Sequence, residues 1–281
     1  MKLITDSTAD LPSELVEKYG IEIVPLKIHL GEETYRDYFD INLDEFYNLL
    51  RTTDLFPTTT QPSPQDFVET YRKLSLEDDC LISIHISSKL SGTYQSAMVA
   101  AQQCPEVKIH LIDSQQASLA LGMTVIAAAK AIEEKKEVDE VLSEIRRITS
   151  QIKTYFSVDS LEYLRRGGRI GRAQAFVGAM LKIKPLLAIQ GGEIVPVEKL
   201  RGQQRLIRRM VQLVQDDATN IGALRVGLIH ADNEELLSIL SQQLEGNLHE
   251  NLELEYTSRI GGIIASHVGP GAIGVSYYPV V

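Results

Sequence analysis

The feature that most constrains the fold is the alternation, through the first half of the chain, of short apolar runs with helix-length segments. Lys2 to Thr5 reads as a first strand, and Asp10 or Leu11-Pro12 opens a helix that runs to about Tyr19 and is stopped by Gly20. Cys80 to Ile86 and Val107 to Ile112 are runs of the kind that fill a buried strand, followed by helices from Tyr94 to Gln103 and from Leu121 to Glu134. An amphipathic helix from Val138 to Ile152 leads to a strand from Lys153 to Val158. Strands that alternate with helices of this length predict a mainly parallel sheet covered by helices. In such sheets ligands bind beyond the carboxyl ends of the strands. Ile21 to Leu30 fits less well: its alternation changes phase at Pro25, which predicts an edge strand or a bulge.

Two hydroxyl-rich loops stand at or near those strand ends. Pro57-Thr58-Thr59-Thr60-Gln61-Pro62-Ser63-Pro64 is held extended by its prolines, and Ser63-Pro64 reads as the cap and first turn of a helix to about Leu74. Ser87-Ser88-Lys89-Leu90-Ser91-Gly92-Thr93 lies between a strand and a helix. A helix N-terminus offers unpaired N–H groups to an anion without any cationic side chain. The same residue types also serve simple turns. The pair Asp-Ser ends three strands, at Asp6-Ser7, Asp113-Ser114 and Asp159-Ser160, which fits capping as well as chemistry.

Beyond about residue 160 the character changes. A cationic, glycine-rich loop from Leu164 to Arg172 leads to an apolar helix through about Leu181. Lys184 to Gln190, Gly191-Gly192 and Glu193 to Leu200 form a hairpin signature. A basic helix from Gln203 to Gln215, further strand and helix segments, and a last strand from Ala272 to Tyr278 complete the pattern. The expected architecture is α/β in two domains. The N-terminal domain, residues 1–160, has a mainly parallel sheet, and the C-terminal domain, 161–281, has a mixed one.

Composition excludes several roles. A formal charge of −10 opposes a general nucleic-acid or membrane-surface function, and no run of about 18 apolar residues offers a bilayer span. The N-terminus enters a strand at once, with no apolar signal region, and Cys80 and Cys104 have neither metal-ligand nor disulfide-framework spacing. Both are expected to be reduced, buried thiols of a cytoplasmic protein. The histidines are scattered singly, with no metal site implied, and neither a Walker A sequence nor a dinucleotide fingerprint is present. Ser91 and His267 invite a hydrolase reading, but Lys89 and Thr93 stand where a nucleophile elbow needs glycines.

Taken together and in order, several motifs resemble those of the DegV family, the bacterial fatty-acid-binding proteins of the FakB type, over nearly the whole chain. They are Thr5-Asp6-Ser7-Thr8-Ala9-Asp10-Leu11-Pro12, Thr59-Thr60-Gln61-Pro62-Ser63, Leu90-Ser91-Gly92-Thr93-Tyr94, Asp113-Ser114, Gly168-Arg169-Ile170 and His267-Val268-Gly269-Pro270-Gly271. One departure is Thr60, where the family commonly has serine; a hydroxyl is kept.

The resemblance implies a long-chain fatty acid buried between or beneath the domains. Its carboxylate would be held by Thr59, Ser91 and His267, with Thr58, Thr60 and Gly92 as neighbouring contacts. It also implies a carrier that is not itself an enzyme, needs no cofactor, and presents the acyl carboxylate to a dihydroxyacetone-kinase-like fatty acid kinase for acyl-phosphate formation. Arg169, Arg172 and Arg201 would face that partner. Neutral donors would hold the anion while leaving it nucleophilic. The tail would supply affinity at about 0.8 kcal/mol per buried methylene. Leu119 to Ala129 and Ala173 to Leu187 are the expected tunnel walls. The competing expectation is an acyl ester or acyl-phosphate hydrolase using Ser91 and His267. A transcriptional or signalling module would need nucleic-acid binding that the charge opposes.

Overall fold

A computed structural model describes residues 1–53, 55–177, 183–248 and 252–280. The chain begins with β1 (Lys2–Asp6), a short 3-10 turn, α1 (Ser13–Tyr19) and β2 (Glu22–Val24). Gly20 ends α1 in the left-handed conformation, at φ 59°. Pro25 then divides the expected strand in two. β2 is an edge of the parallel sheet, whereas β3 (Lys27–Leu30) is the centre of a small antiparallel sheet with β4 (Glu33–Arg36) and β5 (Thr58–Thr60).

Between β4 and β5 lies α2 (Leu43–Thr52), capped by the Asn42 side chain. α3 (Pro64–Ser75) follows β5, with Ser63 and Asp66 forming a reciprocal capping box. β6 (Cys80–His85), α4 (Thr93–Gln102), β7 (Lys108–Asp113), α5 (Leu119–Glu133) and α6 (Val138–Gln151) complete the first unit. Its four-stranded sheet has the order β2-β1-β6-β7 and is parallel throughout.

The second unit is built on a six-stranded mixed sheet. β8 (Lys153–Ser157) is followed by α7 (Glu162–Arg166), the hairpin of β9 (Ile183–Gln190) and β10 (Glu193–Arg201), and α8 (Gln203–Ile221). β11 (Leu224–His230), α9 (Glu234–Leu248), β12 (Leu252–Arg259), α10 (Gly262–Val268) and β13 (Ile273–Pro279) close it. The order is β10-β9-β8-β13-β11-β12, with only the β11–β12 pairing parallel. Because β8 is hydrogen-bonded to β13 and β9, we place the seam between the units at the α6–β8 junction, ahead of the boundary at 160/161 expected from loop chemistry.

Three further differences are local. α8 runs on to Ile221 rather than stopping near Gln215. Residues 171–176 form a 3-10 helix in place of the start of an α-helix, and the rest of that expected helix, 178–182, lies outside the described residues. The glycine-rich stretch near the C-terminus contains α10, which carries His267 in its last turn.

α5 joins the two units. It is apolar on all sides, and every residue from Leu119 to Ala129 is buried, as expected for a helix enclosed by protein. One side packs against β1 and β6, another against β11 and β13. A Cβ at Gly122 would lie 2.5 Å from the Ala9 carbonyl oxygen, so the close approach of α5 to the turn after β1 requires glycine there. The largest apolar cluster crosses the seam, with Phe46, Tyr47, Leu119 and Met123 from the first unit and Leu187, Ile229 and Ile263 from the second.

Candidate functional site

A cavity of about 350 Å³ opens between the units. Its walls are mainly apolar: Leu26, Ile86, Leu90 and Leu119 from the first unit face Phe156, Ile189, Ile194, Ile229, Ile263 and Ile264 from the second. At one end β5 and α10 bring Thr59 and His267 together across the seam, with Thr59 Oγ1 2.9 Å from His267 Nε2. Strand alternation explains why Thr59 alone of the three threonines meets His267. Thr60 borders the cavity but turns its hydroxyl to His29 Nε2, at 3.1 Å, on the outer side. Thr58 is exposed and outside the lining.

Ser91 lines the same cavity from the loop after β6, beyond the carboxyl end of the parallel sheet. Its hydroxyl lies 2.9 Å from Thr93 Oγ1 and accepts the Thr93 N–H at 3.3 Å. That loop is pinned from the second unit: Ser87 Oγ donates to the Gly192 carbonyl at 2.8 Å, and Lys89 pairs with Glu193 at 3.2 Å. Gly92 caps α4 and is not part of the lining; the Gln61 side chain occupies the space a Cβ would fill, and its amide donates to Ser96 Oγ at 3.1 Å.

The electrostatics of this end come from His267 and Arg169. Burial, with a smaller effect of the nearby Arg169 guanidinium, lowers the His267 pKa to about 4. The ring is therefore neutral near pH 7. Its Nδ1 is buried without a protein partner among the described residues. A Cβ at residue 167 would collide with that nitrogen, which accounts for Gly167. Arg169 lines the cavity, donating from Nε to the Leu90 carbonyl at 3.0 Å and from Nη1 to the Gly167 carbonyl at 2.7 Å. Grouped beforehand with surface cations, it lies in the wall, so the polar end is not made of neutral donors alone. The signal was present in Gly167-Gly168-Arg169, but sequence does not tell a guanidinium in a wall from one on a surface. Arg172 and Arg201 are exposed.

The repeated Asp-Ser pairs do not enter the cavity lining. Asp6 accepts from Thr8, Ile86 and His85, Asp113 accepts from Ser88 and Gln115, and Asp159 pairs with Lys184. They build the strand-end loops. Among the described residues no group of three or more His, Cys, Asp and Glu could hold a metal ion, and no helix is long and apolar enough to cross a membrane. Cys80 and Cys104 are buried and free.

The family model for the uncharacterised DegV proteins matches residues 1–280. The chain belongs to the DegV family. Among solved structures, it is similar to a fatty-acid-binding DegV family protein from Thermus thermophilus, at 38% identity and a TM-score of 0.93, with 99% of each chain covered. It is likewise similar to the fatty acid binding protein DegV of Bacillus subtilis, at 34% identity and a TM-score of 0.89, covering 99% of this chain and 98% of that one. A stearic acid-binding protein from Eubacterium ventriosum matches at 27% identity and a TM-score of 0.90, covering 99% and 97%. These DegV-family structures share the two-unit α/β architecture seen here.

Proposed function

We propose that this DegV-family chain is a bacterial, cytoplasmic fatty-acid carrier that takes one long-chain acid into the cavity and offers its carboxylate to a separate kinase for acyl-phosphate formation. The observation that carries the reading is an apolar cavity with one polar end, where Thr59 and His267 meet and Ser91 opens into the same space. The fatty acid binding of its relatives from Thermus and Bacillus supports it. In this reading the carboxylate accepts from the hydroxyls of Thr59 and Ser91, and the neutral His267 ring, whose one N–H goes to Thr59 Oγ1, orients Thr59. Thr60 borders that contact, Gly92 and Thr58 shape the loops behind it, and Arg169 holds the wall.

Energetics favour the tail as the source of affinity. A dozen buried methylenes correspond to roughly 10 kcal/mol before ordering costs, against about 1 kcal/mol net for each hydrogen bond at the head. Hydroxyls oriented by a neutral imidazole hold the anion, and the Arg169 guanidinium in the wall is engaged by the Leu90 and Gly167 carbonyls, so the carboxylate keeps the nucleophilicity that transfer of a phosphoryl group to it requires. Arg172 and Arg201, exposed beyond the cavity, are the cations we assign to the partner surface, with Arg169 behind them.

The hydrolase reading needs a hydrogen bond between nucleophile and base. Here Ser91 Oγ pairs with Thr93 and His267 Nε2 pairs with Thr59. The test is denaturing mass spectrometry of protein purified from cells, which should release a fatty acid at near-unit stoichiometry. Acyl-phosphate should then form only when kinase and ATP are added. Turnover of acyl esters by the chain alone, with serine labelling by a fluorophosphonate, would replace this reading with the hydrolase.

A further inference from the structure

A second polar patch lies in the cavity wall, away from the carboxylate end. Thr154 and Phe156 of β8, and Gly274 and Ser276 of β13, line the cavity. The antiparallel register sets Thr154 opposite Ser276 and Phe156 opposite Gly274, so alternation turns both pairs to one face. Thr154 Oγ1 donates to Gln116 Oε1 at 3.0 Å and lies 3.1 Å from Ser276 Oγ. With the Thr154 proton given to Gln116, Ser276 must donate to Thr154. The Ser276 oxygen then has acceptor capacity to spare, while Gln116 lies behind the pair and outside the lining. Ser276 is 1% exposed and Gln116 5%.

Position matters as much as chemistry. Ala272 lines the cavity just past the end of α10, which carries His267. From there to Ser276 is about 13 Å, at roughly 3.3 Å per strand residue. The patch is thus set deep in a stretch otherwise walled by Ile189, Ile194 and Ile229. Methylenes passing Ser276 leave its spare acceptor capacity unused away from water, a cost that an aliphatic wall would not carry. Gly274, two residues nearer α10 along β13, presents no side chain and leaves width beside the patch.

We propose that Thr154 and Ser276, oriented by Gln116 behind them, form a recognition site for a mid-chain hydroxyl, so that the cavity takes a hydroxylated long-chain acid in preference to its unsubstituted parent. The inference rests on the fatty-acid reading and deepens it. The ligand hydroxyl donates to Ser276 Oγ.

The test is competition between ricinoleic and oleic acids, which differ by one mid-chain hydroxyl, on lipid-stripped protein. Wild type should favour ricinoleic acid by about tenfold, the worth of one to two hydrogen bonds. Ser276→Ala, which keeps the Thr154–Gln116 bond and so disturbs the fold least, should abolish that preference. Thr154→Val, which leaves Ser276 without its acceptor, should lower it severalfold. A wild type that favours oleic acid, or a ratio that neither variant changes, overturns the hydroxyl site and leaves the carboxylate site standing. A wild type that binds neither acid overturns both.

Discussion

His85 and His267 are both largely withdrawn from solvent and both sit beside a hydroxyl, yet only one has every ring nitrogen answered. His85 Nδ1 lies 3.0 Å from Asp6 Oδ2 and Nε2 lies 2.6 Å from Ser83 Oγ, which in turn is 3.0 Å from Tyr71 OH. Asp6 also accepts from Thr8 and from the Ile86 N–H, and Phe67 closes the network with its ring centroid 5.0 Å from that of His85. Asp, His and Ser stand here in the order of a catalytic relay, but the whole group is sealed inside the parallel sheet and its helices. His267 has Thr59 on one nitrogen, the other packed against Gly167 with no partner among the described residues, and the cavity beside its ring. A completed network fixes a core, whereas an incomplete one beside a void is a place for a ligand.

The largest effect expected from breaking that contrast is on the completed side. Asp6→Ala strands His85 Nδ1, the Thr8 hydroxyl and two backbone N–H groups in the core. It should cost about 3 kcal/mol or more by denaturant unfolding, with ligand lost only as the fold is lost. His267→Ala should act chiefly on binding, with fatty-acid affinity falling by about tenfold while the protein stays folded.

Acid sharpens the comparison. Because folding lowers the His267 pKa from 6.5 to about 4, protonation favours the unfolded chain. Its contribution is complete above pH 6.5 and is lost as pH falls toward 4, about 3 kcal/mol in all. A bound carboxylate should raise the midpoint, which histidine NMR with and without oleic acid would measure. An unmoved midpoint would place the carboxylate elsewhere.

Asp37, at the start of α10, runs the other way. Burial raises its pKa from 3.8 to about 6 despite hydrogen bonds from Ser7 and from backbone N–H groups that include Gly262 and Ile263. Its contribution is present below pH 3.8 and is lost as pH rises through 6. Asp37→Asn should therefore gain on wild type by about 3 kcal/mol between those limits, read as the difference in unfolding free energy. The smallest effect is Ser91→Ala. With Thr59 and His267 still in place, about a fivefold loss of affinity is expected with the fold intact, and unchanged lipid occupancy would remove Ser91 from the site.

Much of this was readable from residue order where the cause is local. Ser63-Pro64 predicts the capped start of α3, Gly191-Gly192 the β9–β10 turn, and the unbroken apolar run from Leu119 a helix with no solvent face. Local signals misled where glycines served close approach instead of turning the chain. Gly261 and Gly262 stand at the start of α10, where Asp10 Oδ1 and Ile28 leave no room for a side chain. The polar trio of Gln116, Thr154 and Ser276 was beyond reach for another reason. It depends on the register of β8 against β13, more than a hundred residues apart, and no local pattern encodes that pairing.

The burial of α5 against both sheets has a consequence for the chain as a whole. Severed near residue 152 and made separately, each half would carry a bare greasy flank where the other half, or the helix itself, should press. The fragments should clump or stay molten, and regain order only when mixed. Two sheets that share one helix as their filling are one folding event, whatever number of domains a diagram assigns them.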